Sequence, residues 1–186
     1  LCWDGSLDRP MVLTATSGST GDPSYFLRNK ELDWQYSIQI QKFLKESQEK
    51  QPTLAIICFG MGIWIGGLIT YKAIEIAANR ENLALSIITP GINKKEIFSA
   101  LKKLSPQYGS TILIGYPPFI KDVVDESEAE GVDLKKLGIR FIFAAEAITE
   151  ELRTYLSSKV GVKNIFENFM NVYGSADIGA MAFEDA

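Results

Sequence analysis

The sequence contains no histidine, and that absence removes the Ser-His-Asp and Cys-His hydrolases together with the commonest zinc ligand sets. Cysteine is nearly as scarce, with Cys2 and Cys58 alone, so no disulfide framework holds the fold. Cys58 lies inside the apolar run Ala55 to Phe59 and reads as a small buried hydrophobe rather than a nucleophile. This usage is that of a chain kept in a reducing cytoplasm. Positive charge is also short: 19 lysines and arginines against 23 acids leave a net charge of -4, which offers no broad basic face to nucleic acid. The pairs Lys94 and Lys95, Lys102 and Lys103, and Lys135 and Lys136 sit beside apolar residues at helical spacing and read as solvated helix faces.

Long uncharged runs are few here too, and one of them, Leu54 to Tyr71, raises the question of a membrane. Gly62 and Gly66 even have the spacing used by membrane helix pairs. Four glycines within eight positions (Gly60, Gly62, Gly66 and Gly67) argue instead for a strand, a glycine turn and a helix. That helix is expected from about Ile63 to Ala78, with Ile69, Ala73, Ile76 and Ala77 inward and Lys72, Glu75 and Arg80 outward. No membrane span is expected. Nor does a signal-peptide pattern open the chain, which starts at Leu1 without an initiator methionine and reads as a piece of something longer.

What is present is enough for one globular domain: 186 residues, 46% hydrophobic and 23% charged. Strand-like runs from Met11 to Thr16 and Tyr25 to Arg28 flank a glycine-rich loop. Asn29 then caps a helix whose stripe is Leu32, Tyr36, Ile40, Phe43 and Leu44. Beyond the uncharged run come a strand at Leu85 to Thr89, a helix capped by Asn93, a strand at Thr111 to Tyr116 and a helix from Pro118 to Glu130. A near-continuous apolar strand follows at Ile139 to Ala145, then a helix opened by Thr149 with Glu150 and Glu151 in its first turn, then a strand at Phe169 to Tyr173. The alternation predicts an α/β fold, a mostly parallel sheet flanked by helices on both faces, with ligands at the carboxyl ends of the strands.

Three segments fall at such ends. The stretch Thr14 to Ser24 crowds hydroxyls around Gly18 and Gly21, and glycines that let backbone N–H groups converge, with hydroxyls as further donors, suit phosphate oxygens. It lacks the Gly-Lys-Ser/Thr ending of the common P-loop, and an ordinary polar turn remains the alternative reading. Asn171-Val172-Tyr173-Gly174-Ser175-Ala176-Asp177 offers an aromatic ring to stack a purine and, in Asp177, a hard oxygen of the kind magnesium shares with phosphates. Ala144-Ala145-Glu146 ends the apolar strand with small residues and a carboxylate, or simply starts the next helix with an acid.

In order and spacing these motifs resemble the adenylate-forming superfamily, and within it the phenylacetate-CoA ligase branch, over nearly the whole chain. The Ser/Thr-Ser-Gly-Thr-Thr-Gly signature corresponds to Thr16 to Gly21, the Gly-Ala-Glu segment to Ala144 to Glu146, and the Tyr-Gly-x-Ser/Thr-Glu segment to Tyr173 to Asp177. The resemblance implies an AMP-forming acid–thiol ligase in which a carboxylate attacks the α-phosphate of ATP and a thiol, usually that of coenzyme A, later displaces AMP. It also implies roles. Thr16, Ser17, Gly18, Ser19, Thr20 and Gly21 would hold the triphosphate, and Ala145, Glu146, Asn171, Tyr173, Gly174 and Ser175 the rest of the nucleotide. Asp177 would hold magnesium. Phe59, Gly60, Met61, Gly62, Tyr116 and Pro117 would line the acyl pocket, with Trp64 and Phe119 adding apolar surface. Asp22 and Ser24 stand where the family usually carries a lysine, and Asp177 where it carries a glutamate. The family's ribose-binding aspartate, hinge and lysine-bearing C-terminal domain lie downstream of the matched motifs, so this chain is expected to bind nucleotide weakly and not to complete adenylation alone. A non-catalytic nucleotide-binding or scaffold module of the same fold is the alternative.

Overall fold

The computed structural model describes residues 8, 10–16, 21–46, 51–175 and 178–184. Strands β1 (Val12–Ala15) and β2 (Tyr25–Arg28) form an antiparallel pair on either side of the glycine-rich loop. The remaining strands make one six-stranded sheet in which β3 (Thr53–Ile57), β4 (Leu85–Ile88), β5 (Ser110–Gly115), β6 (Ile139–Ala144) and β7 (Phe169–Ser175) run parallel. Their spatial order is β4-β3-β5-β6-β7, and β8 (Gly179–Phe183) closes the edge antiparallel to β7.

The central strands are apolar almost without interruption because both faces of the sheet are covered. Successive side chains point to opposite faces, so Leu54, Ile56 and Cys58 join one core cluster while Ala55, Ile57 and Phe59 join the other. Helices α1 (Lys30–Glu46) and α2 (Ile65–Glu81) cover the second face through Tyr36, Ile40, Phe43, Leu44, Ala73, Ile74 and Ala77. Helices α3 (Lys94–Lys103), α4 (Pro117–Glu126) and α5 (Glu150–Val160) cover the first, where Phe141, Phe143 and Phe169 pack ring against ring at 4.9 to 6.1 Å. A one-turn helix, α6 (Ile165–Asn168), leads into β7.

The helix starts are set by the caps visible in the sequence. Asn29 Oδ1 accepts from Leu32 N at 3.0 Å, Asn93 Oδ1 from Glu96 N at 3.3 Å and Thr149 Oγ1 from Leu152 N at 3.3 Å. Two boundaries differ from the periodicity. Helix α2 begins at Ile65 rather than Ile63, since Ile63 gives its carbonyl to Ala15 N at 2.8 Å. Helix α4 ends at Glu126 instead of Glu130, where Ser127 Oγ bonds the Val124 carbonyl at 2.7 Å and the chain turns through Gly131 at φ 73°. The lysine faces are solvated as expected, and each carries an ion pair: Lys94 bonds Glu126 at 2.6 Å and Lys102 bonds Glu130 at 3.2 Å, bridging α3 to the end of α4 and the turn after it, while Lys136 bonds Asp133 at 3.0 Å. Among the described residues no helix is long and apolar enough to cross a membrane.

Cys58 is fully buried just past β3, and burial pushes its thiol up from 9.0 to about 12. A thiol whose pKa is raised on folding stabilises the native state below its unfolded pKa, and that contribution fades as pH climbs from 9 towards 12. Cys58→Ala is therefore expected to flatten the alkaline limb of the stability curve, with about 1 kcal/mol less pH-dependent loss at pH 10 than wild type. Urea melts of both proteins from pH 7 to 11 measure this.

Candidate functional site

The parallel strands end together, and their carboxyl edge opens into a cleft of about 580 Å³, well within the size of small-molecule sites. Five parts of the chain meet there. Ala15 and Thr16 enter from the end of β1, Phe59 and Gly60 follow β3, Tyr116 follows β5, and Ala144 and Ala145 end β6. Gly174 and Ser175 at the end of β7, with Gly179 and Ala180 at the start of β8, close the far side.

The glycine-rich loop is held at its neck. Thr16 N donates to the Ser24 carbonyl at 3.0 Å, and Ser24 N donates to Thr16 Oγ1 at 3.1 Å. A bridge from Ala15 to Trp64 fixes the neck against the start of α2. The loop's central residues, Ser17, Gly18, Ser19 and Thr20, lie outside the described residues, as does Asp177. Gly21 and Asp22 are exposed at the base of the loop.

Of the residues singled out in the sequence, Thr16, Phe59, Gly60, Trp64, Tyr116, Ala145, Gly174 and Ser175 line the cleft. The other described ones stand apart from it. Met61 packs half-buried against the core beneath α1 and α2, and Gly62 forms an exposed turn at φ 88°. Pro117 is buried in the first turn of α4, and Phe119 belongs to the core cluster on the opposite face of the sheet, so it supplies no cleft surface. Glu146 is exposed beyond the rim; Asn171 is half-buried within β7, its N–H bonded to Glu184 Oε2 at 3.0 Å; and the ring of Tyr173 stands 66% exposed.

Ala145 takes φ 76°, a left-handed conformation rare for a residue with a Cβ, at the point where the chain leaves β6 for the cleft. Ala145→Gly is expected to relieve that strain and raise stability by roughly 0.5–1 kcal/mol. A calorimetric melt reads it directly.

Several lining residues were not anticipated. Helix α2 presents Ile65, Gly66, Ile69 and Thr70, α1 contributes Tyr36, and the turn after β4 contributes Ile92. The signal was in the sequence: Gly66, Ile69 and Thr70 follow the i, i+3, i+4 spacing of one helix face. The close seat of that face depends on Gly67, where a Cβ would overlap the Gly60 carbonyl oxygen and come 2.6 Å from Met61 Sδ.

Among the described residues lining the cleft, none carries a charge. Positive potential comes from the start of α2, whose N-cap Trp64 makes no side-chain cap bond and whose first turn holds no acid. Deeper in, burial pushes the Tyr36 hydroxyl up, opposed by its hydrogen bond with Thr70 and by the nearby Arg28 guanidinium. Arg28, ion-paired with Asp33, is itself lowered to about 10 by burial. No group of three or more metal-binding side chains occurs among the described residues.

With this geometry the chain superposes on solved enzymes. A 2-hydroxyisobutyryl-CoA ligase, crystallised in an open conformation with 2-HIB-AMP and CoA, matches at a TM-score of 0.63 and 13% identity over 89% of this chain. An AMP-forming acyl-CoA synthetase-like protein from Dyadobacter fermentans matches at 0.61 and 15% over 94%, and a long-chain-fatty-acid-CoA ligase from Archaeoglobus fulgidus at 0.61 and 11% over 93%. The fold is that of adenylate-forming acyl-CoA ligases. The chain spans 33%, 43% and 32% of the lengths of these proteins. No family model and no curated protein matches the sequence.

Proposed function

We propose that this chain is the ATP- and acyl-binding part of an AMP-forming carboxylate–thiol ligase of the phenylacetate-CoA ligase kind. One observation carries the reading: segments from three sequence-distant motifs, at Thr16, Ala145 and Gly174 to Ser175, line a single cleft at the carboxyl edge of one sheet. Scattered turns of the same composition have no reason to converge in this way.

In this reading the Thr16 to Gly21 backbone holds the triphosphate, Ala145, Glu146, Asn171, Gly174 and Ser175 border the nucleoside, and Tyr173, with its exposed ring, stacks on adenine. Phe59, Gly60 and Tyr116 frame the acyl group, joined by Trp64 and Ile69, with Met61, Gly62 and Pro117 set back from the lining. A carboxylate oxygen of the acid attacks the α-phosphorus, the bond to pyrophosphate breaks, and the acyl-adenylate then passes its acyl carbon to the sulfur of coenzyme A with release of AMP. The chain's part is positioning and exclusion of water. A magnesium ion shared with the phosphates needs only one or two protein carboxylates, and Asp177 is the residue assigned to it. Held there, it would supply charge neutralisation on the phosphates. Reaction in the cytoplasm fits the cysteine usage.

The absence of a cation among the described lining residues, together with Asp22 beside the loop, favours a second reading, a non-catalytic module that keeps the fold. Calorimetric titration of MgATP into wild type and Asp22→Lys separates the two. The ligase reading expects binding by wild type and about tenfold tighter binding by the variant, since a repulsive charge near the phosphates becomes attractive. Silence in both proteins would leave only the scaffold.

A further inference from the structure

Helix α5 turns Arg153, Leu156, Ser157 and Val160 inward, the i, i+3, i+4, i+7 face of an amphipathic helix. An arginine on that face is costly unless it is paired, because its charge leaves water there. Arg153 is 6% exposed and is paired on two sides. Its Nε lies 3.1 Å from Glu150 Oε1 in the first turn of its own helix, and its Nη2 donates to Glu184 Oε1, just beyond β8.

Glu184 in turn completes a rung of the sheet with its side chain. Its N–H donates to the Asn171 carbonyl at 3.0 Å, and the Asn171 N–H donates back to the carboxylate, to Oε2 at 3.0 Å. One carboxylate therefore closes the end of the β7–β8 ladder with one oxygen and holds α5 with the other. The pairing above it is irregular: Tyr173 faces Ala182 but Gly174 faces Ala180, so Met181 is an extra residue on β8. A bulge re-aims the residues beyond it, and a register left unpinned can slip by one position. The residues beyond this bulge are Gly174, Ser175, Gly179 and Ala180, all of which line the cleft. At the other end of the fork, α5 starts from its Thr149 cap just after Ala144 and Ala145, which line another side of the same cleft.

We infer that Arg153 is a positioning residue which, through Glu184, fixes the β7–β8 hairpin against the start of α5 and so holds two of the three nucleotide-binding segments in register with each other. The inference rests on the ligase reading above and deepens it. Arg153 is not part of the cleft lining and acts only through the strands it ties.

The test compares Arg153→Met, which keeps the bulk without the charge, and Glu184→Gln, which keeps one acceptor but turns an amide N–H towards the guanidinium. Arg140→Ala, removing a buried arginine at the amino end of β6, is the control for lost stability alone. In the ligand-free chain, hydrogen exchange of the β7–β8 ladder amides is expected to quicken at least tenfold relative to β5 in the first two variants, and not in Arg140→Ala. Calorimetric titration of MgATP, at a temperature where melts show every variant folded, is expected to give about tenfold weaker binding in the same two variants. Arg153→Lys, which keeps the ion pair to Glu184, should stay within about threefold of wild type, and Arg140→Ala should match wild type. Unchanged β7–β8 exchange in both variants, unchanged MgATP affinity in both, or an equal loss of affinity in Arg140→Ala would each overturn the inference and leave the ligase reading standing where wild type binds MgATP. Failure of wild type to bind MgATP would overturn both.

Discussion

Arg140→Ala is expected to melt roughly 10 °C below wild type, the largest stability change of any single substitution considered. Arg140 enters near the start of β6, 6% exposed, and works as a fork between elements that otherwise share few bonds. Its Nη1 donates to the Phe43 carbonyl at 2.8 Å, while Nη2 and Nε donate to the Glu167 carbonyl at 2.6 and 3.2 Å. Its guanidinium also lies 3.8 Å from the Phe43 ring centre and 3.8 Å from Glu46. Burial lowers its pKa to about 10, which still leaves it charged at neutral pH. Removing the side chain leaves two main-chain acceptors without a donor and a hollow between α1, α6 and the sheet, a loss of about 3–5 kcal/mol. Arg140→Lys keeps the charge but cannot reach two carbonyls at once, and should fall between the two. Because this cluster sits at the amino end of the strands, ligand affinity of the folded fraction should not change.

Gly67→Val is the converse case, with its main consequence at the cleft. The added Cβ would overlap the Gly60 carbonyl oxygen, so the Gly60 to Met61 turn must move away from α2. That turn carries cleft-lining backbone and seats the Trp64 ring, whose Cδ1 would lie only 3.1 Å from a Cβ at Gly60. A shift of about 1 Å in such a wall costs on the order of a hundredfold in the function it positions, and the overpacking costs roughly 1–3 kcal/mol of stability. Gly66→Ala, one residue earlier, is the control. Its Cβ would meet Phe59 at an ordinary 3.5 Å, and alanine is the better helix former, so this variant should fold at least as well as wild type. Acid affinity and melting temperature measured on both variants distinguish a tight helix–turn contact from a general intolerance of side chains in this part of α2.

The sheet was legible because its strands announce themselves: Thr53–Ile57, Ser110–Gly115 and Ile139–Ala144 are runs that only a doubly covered parallel sheet accommodates. Asn29, Asn93 and Thr149 marked helix starts by local chemistry that tertiary packing did not override. Strand β8 was not legible. Gly179 to Phe183 reads as an apolar run with no turn signal of its own, and its place at the sheet edge depends on pairing with β7, a non-helical contact made tight by Gly174, where a Cβ would overlap the Gly179 carbonyl oxygen. At the site, the sequence named loops that follow strands, since those must lie at the carboxyl edge. It passed over Tyr36 and Thr70, because a buried helix residue facing the core and one facing a cleft have the same periodicity. The resemblance also implied Phe119 in the acyl pocket; its ring does stack on Tyr116 at 5.8 Å, but the first turn of α4 carries Phe119 into the core on the other face of the sheet.

The central claim is that loops from three parts of the chain form one nucleotide site, and amide chemical-shift mapping with MgATP addresses it most directly. Titrated into the isotope-labelled chain, the nucleotide is expected to move the resonances of Thr16, Gly21, Ala145, Glu146, Tyr173 and Gly174 together, with one common affinity. Shifts confined to the polar groove beside Asp125, Lys135 and Lys159, or none at millimolar nucleotide, would contradict it.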